Sequence, residues 1–277
     1  MTFAIAFPMI DPIAVELGPI AIRWYALAYI VGLVGGWQYI KFLTKSFPGQ
    51  ITHEQVDDFL FWATIGVVLG GRTGYVLFYN FDYFNQNPMA ILQVWKGGMS
   101  FHGGFLGVVV AAILFCKKHK LPMLSFGDLL ACGAPIGLFF GRIANFANAE
   151  LFGRETDVAW GVIFPNGGPN PRHPSQIYEA LMEGLILFIV LFILSRRERL
   201  RQSPGLFMGV FIAGYGIARS IVEMVRQPDV QIGYLSGGST MGQWLSVPMI
   251  IIGVGFIIYA LRHQNIDGQN KKGTERA

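Results

Sequence analysis

ACGAPIGLFFGRIANFANAELFGR, residues Ala131 to Arg154, decides what kind of chain this is. Its first ten residues are apolar or small. Its last fourteen crowd in two arginines, two asparagines and a glutamate, with a glycine beside each arginine. An apolar run of this kind that breaks abruptly into hydrogen-bonding groups suits a helix leaving a bilayer. The rest of the chain agrees. Of 277 residues, 53% are hydrophobic and 14% charged, where soluble domains carry roughly 25% charged residues. The mean hydropathy is +0.46. The 35 glycines fit spanning helices, which use small residues to approach one another closely.

A bilayer core takes roughly 20 mostly apolar residues per helix. Seven windows qualify: 19–41, 58–79, 100–116, 124–144, 178–195, 205–226 and 241–261. The fourth is weakest at its start, and six spans is the alternative. No internal repeat of the transporter kind is visible. Basic residues fall in alternate connections: Lys41 and Lys45, then Lys117, Lys118 and Lys120, then Arg196, Arg197, Arg199 and Arg201, then Arg262, Lys271, Lys272 and Arg276. Together these are 13 of the 21 lysines and arginines. Positive charge stays on the cytoplasmic side, so the N-terminus is expected outside and the C-terminus in the cytoplasm. That distribution also accounts for the pI near 9.1 without invoking nucleic acid. The opening MTFAIAFPMIDP lacks a basic region and carries Pro8 and Pro12, so no cleavable signal peptide is expected. Cys116 and Cys132 lie in apolar runs and read as small buried hydrophobes. No HExxH, paired CxxC or Walker loop occurs, so no metal or nucleotide is implied.

Four arginines, Arg23, Arg72, Arg142 and Arg219, lie in or at the edge of spans. A central arginine costs about 2.5–3.5 kcal/mol to insert, so each must be paired, snorkel to the surface, or serve a site. With the expected topology, Tyr25, His102, Arg142, Asn145 and Arg219 all fall in the outer half of the membrane. Tyr215, Arg219, Glu223 and Arg226 are spaced i, i+4, i+8 and i+11, a single stripe about 80° wide. One reading is internal neutralisation, Glu223 pairing with Arg219 or Arg226 and leaving an arginine for an anion. Tyr25 beside Trp24 reads equally as an aromatic belt, and His102 as a satisfied interfacial histidine.

Arginine presents phosphate with a rigid, permanently charged fork. Arg142 and Arg219 at headgroup depth therefore suggest an anionic phospholipid, with Asn145, Asn148 and Glu150 able to hold its polar head. A histidine near its ordinary pKa of about 6.5 can accept a proton at neutral pH. These parts suit transfer of a group from a phospholipid to a weakly acidic nucleophile. The main rival is a lipid or anion transporter or flippase, with arginines lining its pathway. It would require matching polar access from the cytoplasm, where only Asp57, Asp58 and Asp128 stand. An intramembrane protease would need a Ser/His pair or paired aspartates, and a non-catalytic scaffold would use the arginines for assembly alone.

At this point GRIANFANAELFGR resembles the signature of the prolipoprotein diacylglyceryl transferase family, with Ala144 where that family often has glycine. IRWYALAYI, SFHGG, RHPSQIYEA and YGIARSIVEMVRQPD resemble further family segments, in order over nearly the whole chain. The resemblance implies an all-α polytopic membrane protein of about seven transmembrane helices with a small periplasmic head, one membrane-embedded domain over 1–277. It implies a bacterial inner-membrane enzyme that moves the diacylglyceryl group of phosphatidylglycerol onto the lipobox cysteine of a prolipoprotein, releasing glycerol phosphate, without metal or soluble cofactor. It further implies requirement for Tyr25, Asn145 and Gly153, importance for Arg142, Glu150, Arg219 and Glu223, and a histidine base at His102, with arginine-led chemistry as the alternative. Segment 147–177, the longest outer connection, reads as a lid over the peptide entrance or as a solvated loop, and PNGGPNP within it as turns.

Overall fold

The computed structural model describes residues 4–11, 13–18, 20–228 and 233–274; Pro12, Asp229 and Arg276 lie outside the described residues. In chain order come β1 (Ile5–Ala6), β2 (Ile13–Leu17), β3 (Ile20–Arg23), α1 (Trp24–Thr44), α2 (His53–Phe78), α3 (Phe81–Gln86), α4 (Phe101–His119), α5 (Met123–Ala147), β4 (Val162–Ile163), α6 (Ser175–Ser195), α7 (Glu198–Arg201), α8 (Leu206–Val222) and α9 (Met241–Thr274). Among the described residues, α1, α2, α4, α5, α6 and α9 are long and apolar enough to cross a membrane. The seventh expected span, α8, has 17 residues. At about 1.5 Å per residue it covers about 25 Å, short of a hydrocarbon core of about 30 Å. Its end explains the shortfall, because the helix stops at Val222 and Glu223 to Arg226 turn into a charged cluster. Leu33, Phe61, Leu69, Leu106 and Ile251 are each more than half exposed. Apolar surface on that scale suits lipid and not water.

The chain forms two compact units, Met1–Ser46 with Asp128–Ala277, and Phe47–Gly127. In the second unit, α2 opens on a capping box: Gln55 N donates to Thr52 Oγ1 (3.3 Å) and Thr52 N to Gln55 Oε1 (2.9 Å). Helices α2 and α4 pack glycine to glycine. A Cβ on Gly66 would stand 2.6 Å from the Gly107 carbonyl oxygen, and one on Gly74 would stand 2.9 Å from Gly103 Cα. The backbones approach so closely because neither helix has a side chain there.

In the first unit, α8 packs along α9 and the Asp128 carboxylate of α5 caps α8. Gly205 N donates to Asp128 Oδ2 at 2.7 Å and Met208 N to Oδ1 at 2.8 Å. A buried carboxylate from a neighbouring helix thus satisfies amides that have no intrahelical acceptor and faces the positive end of the helix dipole. The 147–177 segment is neither bare loop nor plain solvated chain. Its strand β4 pairs in parallel with β1. Phe7, Ala149, Val162 and Phe164 form a small buried core, with Phe146 and Phe152 against it.

Candidate active site

The polar end of α5 is shaped by its own backbone. Past Ala147 the chain turns through Ala149 and Leu151, which hold left-handed φ angles of 53° and 57°. Non-glycine residues accept that conformation at a cost of about 1–3 kcal/mol each, and here the two flank Glu150. Glu150 N donates to Asn145 O (3.1 Å), while Asn145 Nδ2 donates to Glu150 Oε1 (2.7 Å). The start of α6 braces the same turn: Gln176 Nε2 reaches Glu150 O at 2.6 Å and Ser175 Oγ reaches Leu151 O at 3.0 Å. Asn145 and Glu150 are therefore a mutually locked pair. Tyr25, on the first turn of α1, donates its hydroxyl to Tyr29 (3.0 Å) and lies close enough to Glu150 and Arg142 to sense both charges.

One turn back along α5, Arg142 reaches two carboxylates of α6. Its Nη1 lies 3.1 Å from Glu179 Oε2 and its Nη2 donates to Glu183 Oε2 at 3.1 Å. From α8, Arg219 Nη1 donates to Glu179 Oε1 (2.6 Å) and its Nη2 pairs with Glu223 Oε1 (2.6 Å). Arg226 Nη1 adds a third guanidinium to Glu179 Oε1 at 2.8 Å. The Glu179 and Glu183 side chains are fully buried, whereas those of Arg142 and Arg219 keep 16% exposure. Buried charge survives in a spanning bundle only when paired, and here three arginines balance three glutamates. This corrects the expectation of a spare arginine: the sequence reading set Glu223 alone against the stripe, and α6 supplies two more carboxylates. The spacing of Glu179 and Glu183, i and i+4 on an otherwise apolar helix, is the signal that would have found them.

The cluster sits where α6 departs from α-helical winding. Ala180–Ile186 is a π-helical stretch, a feature frequent at functional sites. Glu183 Oε1 has no hydrogen-bond partner, its nearest cation being Arg219 Nη1 at 3.8 Å. Among the described residues, the Nε donors of Arg142 and Arg219 are also without a partner. The pairs occupy the Nη atoms of each guanidinium, while each side chain keeps 16% exposure.

Gly153 serves close approach. Its N donates to His173 O at 2.8 Å, and a Cβ there would stand 2.6 Å from Val225 O and 2.7 Å from His173 Cβ. Arg154 continues the seam, donating through Nε to Arg226 O (2.9 Å) and through Nη2 to Glu223 O (3.0 Å). His173 is held by burial, and then by the Arg154 charge, below the ordinary histidine pKa. His102 belongs to the second unit, exposed on the first turn of α4, with its ring edge-on to Phe101 at 5.7 Å. The first unit thus gathers Tyr25, Arg142, Asn145, Glu150, Gly153, Arg219 and Glu223 with the unforeseen Glu179, Glu183 and Arg226.

A match to the family described as prolipoprotein diacylglyceryl transferase covers residues 12–259. The chain belongs to this family. It is 58% identical to the phosphatidylglycerol–prolipoprotein diacylglyceryl transferase of Paramagnetospirillum magneticum over 95% of its own length and 98% of the relative's. It is 56% identical to the protein of that name from Rhodospirillum rubrum (95% and 96%) and 57% identical to that from Azospirillum brasilense (94% and 97%). Residues 12–259, the span of the family match, include every member of the arginine–glutamate cluster, from Arg142 on α5 through Glu179 and Glu183 on α6 to Arg219, Glu223 and Arg226.

Proposed function

We propose that this diacylglyceryl transferase uses the partly exposed edges of Arg142 and Arg219 to seat the phosphate of phosphatidylglycerol, with the thiol of a prolipoprotein lipobox cysteine as acceptor. The whole chain acts as one membrane-embedded domain of the bacterial inner membrane. The alternation of basic connections supports a periplasmic N-terminus, a cytoplasmic C-terminus and a site facing the periplasm.

The reaction forms a bond between the cysteine sulfur and the glyceryl carbon that carries the phosphate. The bond from that carbon to the phosphate oxygen breaks, and glycerol phosphate leaves with the electron pair. The thiol proton goes to a base, and His102 is the candidate. A free thiol with a pKa of about 8.5 is only a few per cent thiolate at pH 7, so the base and the stabilised leaving group act together. No metal or soluble cofactor enters this scheme.

The carrying observation is the partnering of the two guanidiniums. Glu179, Glu183 and Glu223 fix their planes in advance, so little reorganisation is needed when negative charge develops on the leaving phosphate. Preorganised donors of this kind contribute about 3 kcal/mol each to lowering a barrier. In this reading Asn145 and Glu150, next along the chain from Arg142, and Tyr25 on α1 hold the glycerol head, and Gly153 keeps the supporting seam closed.

Arg142→Ala and Arg219→Ala, assayed with labelled phosphatidylglycerol and a lipobox peptide at wild-type protein level, are each expected to lose about a hundredfold or more in rate. Normal lipidation by both variants would remove the phosphate clamp. A normal rate and pH profile for His102→Gln would remove His102 as base.

A further inference from the structure

Phosphate chemistry is also provided for at the other end of the same helices. Where α1, α6 and α7 finish, a cavity of about 240 Å³ is lined by Tyr39, Phe42, Ser46, Ser195, Arg196 and Arg201, among others. Along α6, Ser195 lies about 24 Å from Glu179 at about 1.5 Å per residue. This is a separate place from the cluster proposed for catalysis, and its reading stands whether or not that proposal does.

The polar groups of this cavity are ready for an anion. Arg201 anchors the helix ends by donating through Nε to Ser46 O (3.1 Å) and through Nη1 to Ser195 O (2.6 Å). Among the described residues its Nη2 has no partner. Arg196 is exposed and lies over the Phe192 ring at 5.9 Å. No carboxylate lines the cavity, and among the described residues no carboxylate pairs with either arginine. The Tyr39 hydroxyl is shielded from solvent and makes no hydrogen bond of full geometry; its neighbour, the Ser195 hydroxyl, spends its own proton on Phe192 O, so an anion entering the cavity would offer Tyr39 a better acceptor. Phe42 is 59% exposed and Phe192 39%, apolar flanks that suit acyl chains.

We propose that this cavity binds the phosphodiester of an anionic phospholipid in the leaflet opposite the transferase site. Arg196 and Arg201 contact the phosphate oxygens, the Tyr39 hydroxyl donates to one of them, and Phe42 and Phe192 lie against the chains. The volume is below the about 300–1,000 Å³ of sites that enclose a whole drug-sized ligand, so it admits a headgroup while the tails stay in the bilayer. The four-arginine segment Arg196 to Arg201 then has a second task beyond setting topology: it ties α1 to α6 through a bound lipid.

The test is native mass spectrometry of the full chain in detergent with phosphatidylserine, with phosphatidylcholine of the same chains, and with inorganic phosphate. Wild type is expected to retain phosphatidylserine over phosphatidylcholine. Arg196→Gln and Tyr39→Phe should each weaken that retention, by about fivefold for the arginine, while lipidation of a peptide from phosphatidylglycerol is unchanged. The Arg196 side chain is exposed and makes no hydrogen bond among the described residues, its backbone N–H bonds to Phe192 O and Ile193 O surviving substitution, and Tyr39→Phe keeps the ring, so both variants are expected to fold. Unchanged retention in both would overturn the site. Displacement of phosphatidylserine by millimolar inorganic phosphate would overturn the lipid as its ligand in favour of the free ion. Loss of lipidation with retention intact would touch only the catalytic reading.

Discussion

Two buried arginine centres in this protein solve one problem in different ways. In the second unit, Arg72 is 6% exposed on α2, and only carbonyl oxygens accept from it among the described residues. Its Nε donates to Ile91 O (2.8 Å), its Nη1 to Gly97 O (2.6 Å) and Gly98 O (3.1 Å), and its Nη2 to Ala90 O (2.6 Å), with Phe84 beneath the guanidinium at 4.9 Å. Every side of the fork is occupied, and the connection of residues 88–98 is folded around it. In the first unit, Arg142, Arg219 and Arg226 face carboxylates, and among the described residues the Nε donors of Arg142 and Arg219 are left over. A carbonyl shell uses up a guanidinium as structure. A carboxylate partner behind it fixes the plane and leaves a front. The difference separates a scaffold arginine from one positioned for chemistry.

The sharpest way to break this comparison is Glu179→Gln. That carboxylate lies within 3.1 Å of three guanidiniums, and its loss leaves buried positive charge uncompensated. Removing one partner of a buried pair costs about 3–5 kcal/mol. Thermal unfolding in detergent should show that loss, and lipidation should fall by about a hundredfold or more as the arginines lose their fixed planes. Wild-type turnover in Glu179→Gln would mean that the arginines need no support from behind.

Arg72→Met should give the mirror result. Several carbonyls lose a charged donor, each such bond being worth about 1.5–3 kcal/mol, so a stability loss of about 3 kcal/mol is expected. Turnover per folded molecule should stay near wild type, because Arg72 presents no free edge. The measurement is lipidation rate normalised to folded protein by size-exclusion chromatography. A selective loss of turnover, with unfolding unchanged, would put Arg72 in the site and erase the distinction.

The same contrast shows what the sequence made legible. Arg142, Asn145 and Arg219 stood out because charge and amide groups interrupt apolar runs, and their gathering in one unit follows from helix direction. Apolar windows likewise located each of the long helices and α8, whose early end at Val222 depends on its charged cap and not on hydropathy, while the short α3 and α7 carry no such window. Glu179 and Glu183 were hidden because HPSQIYEALMEG reads as the polar start of a helix, and their partners lie on α5 and α8, far off in sequence. The carbonyl shell of Arg72 was hidden for a related reason, since it exists only once residues 88–98 have folded. The small core of Phe7 and Phe164 joins stretches of chain far apart in sequence that no local pattern connects.

Gly153→Ala probes the seam beneath the catalytic front with a smaller effect. A Cβ 2.6 Å from Val225 O must displace backbone, and overpacking of this kind costs about 1–3 kcal/mol. The seam carries Arg154 to the carbonyls of Glu223 and Arg226, so turnover should fall with stability, and more than for an exposed helical glycine with open space around it such as Gly255→Ala. A cost confined to stability would assign Gly153 to packing alone.

The least effect is expected from protons at His173. Its Nδ1 lies 3.2 Å from the Tyr178 hydroxyl, and burial together with the Arg154 charge favours the neutral ring. The unfolded chain has the ordinary value of about 6.5 and so binds the proton more readily than the folded chain. Stability from this group is therefore complete above about pH 6.5 and declines as pH falls below it, until the folded ring is also protonated. Melting followed from pH 7.5 to 5.5 should drop by no more than about 2 °C on this account, and His173→Asn, which cannot titrate, should lack that part of the slope. An identical slope in the variant would show that His173 contributes nothing to the acid sensitivity of the fold.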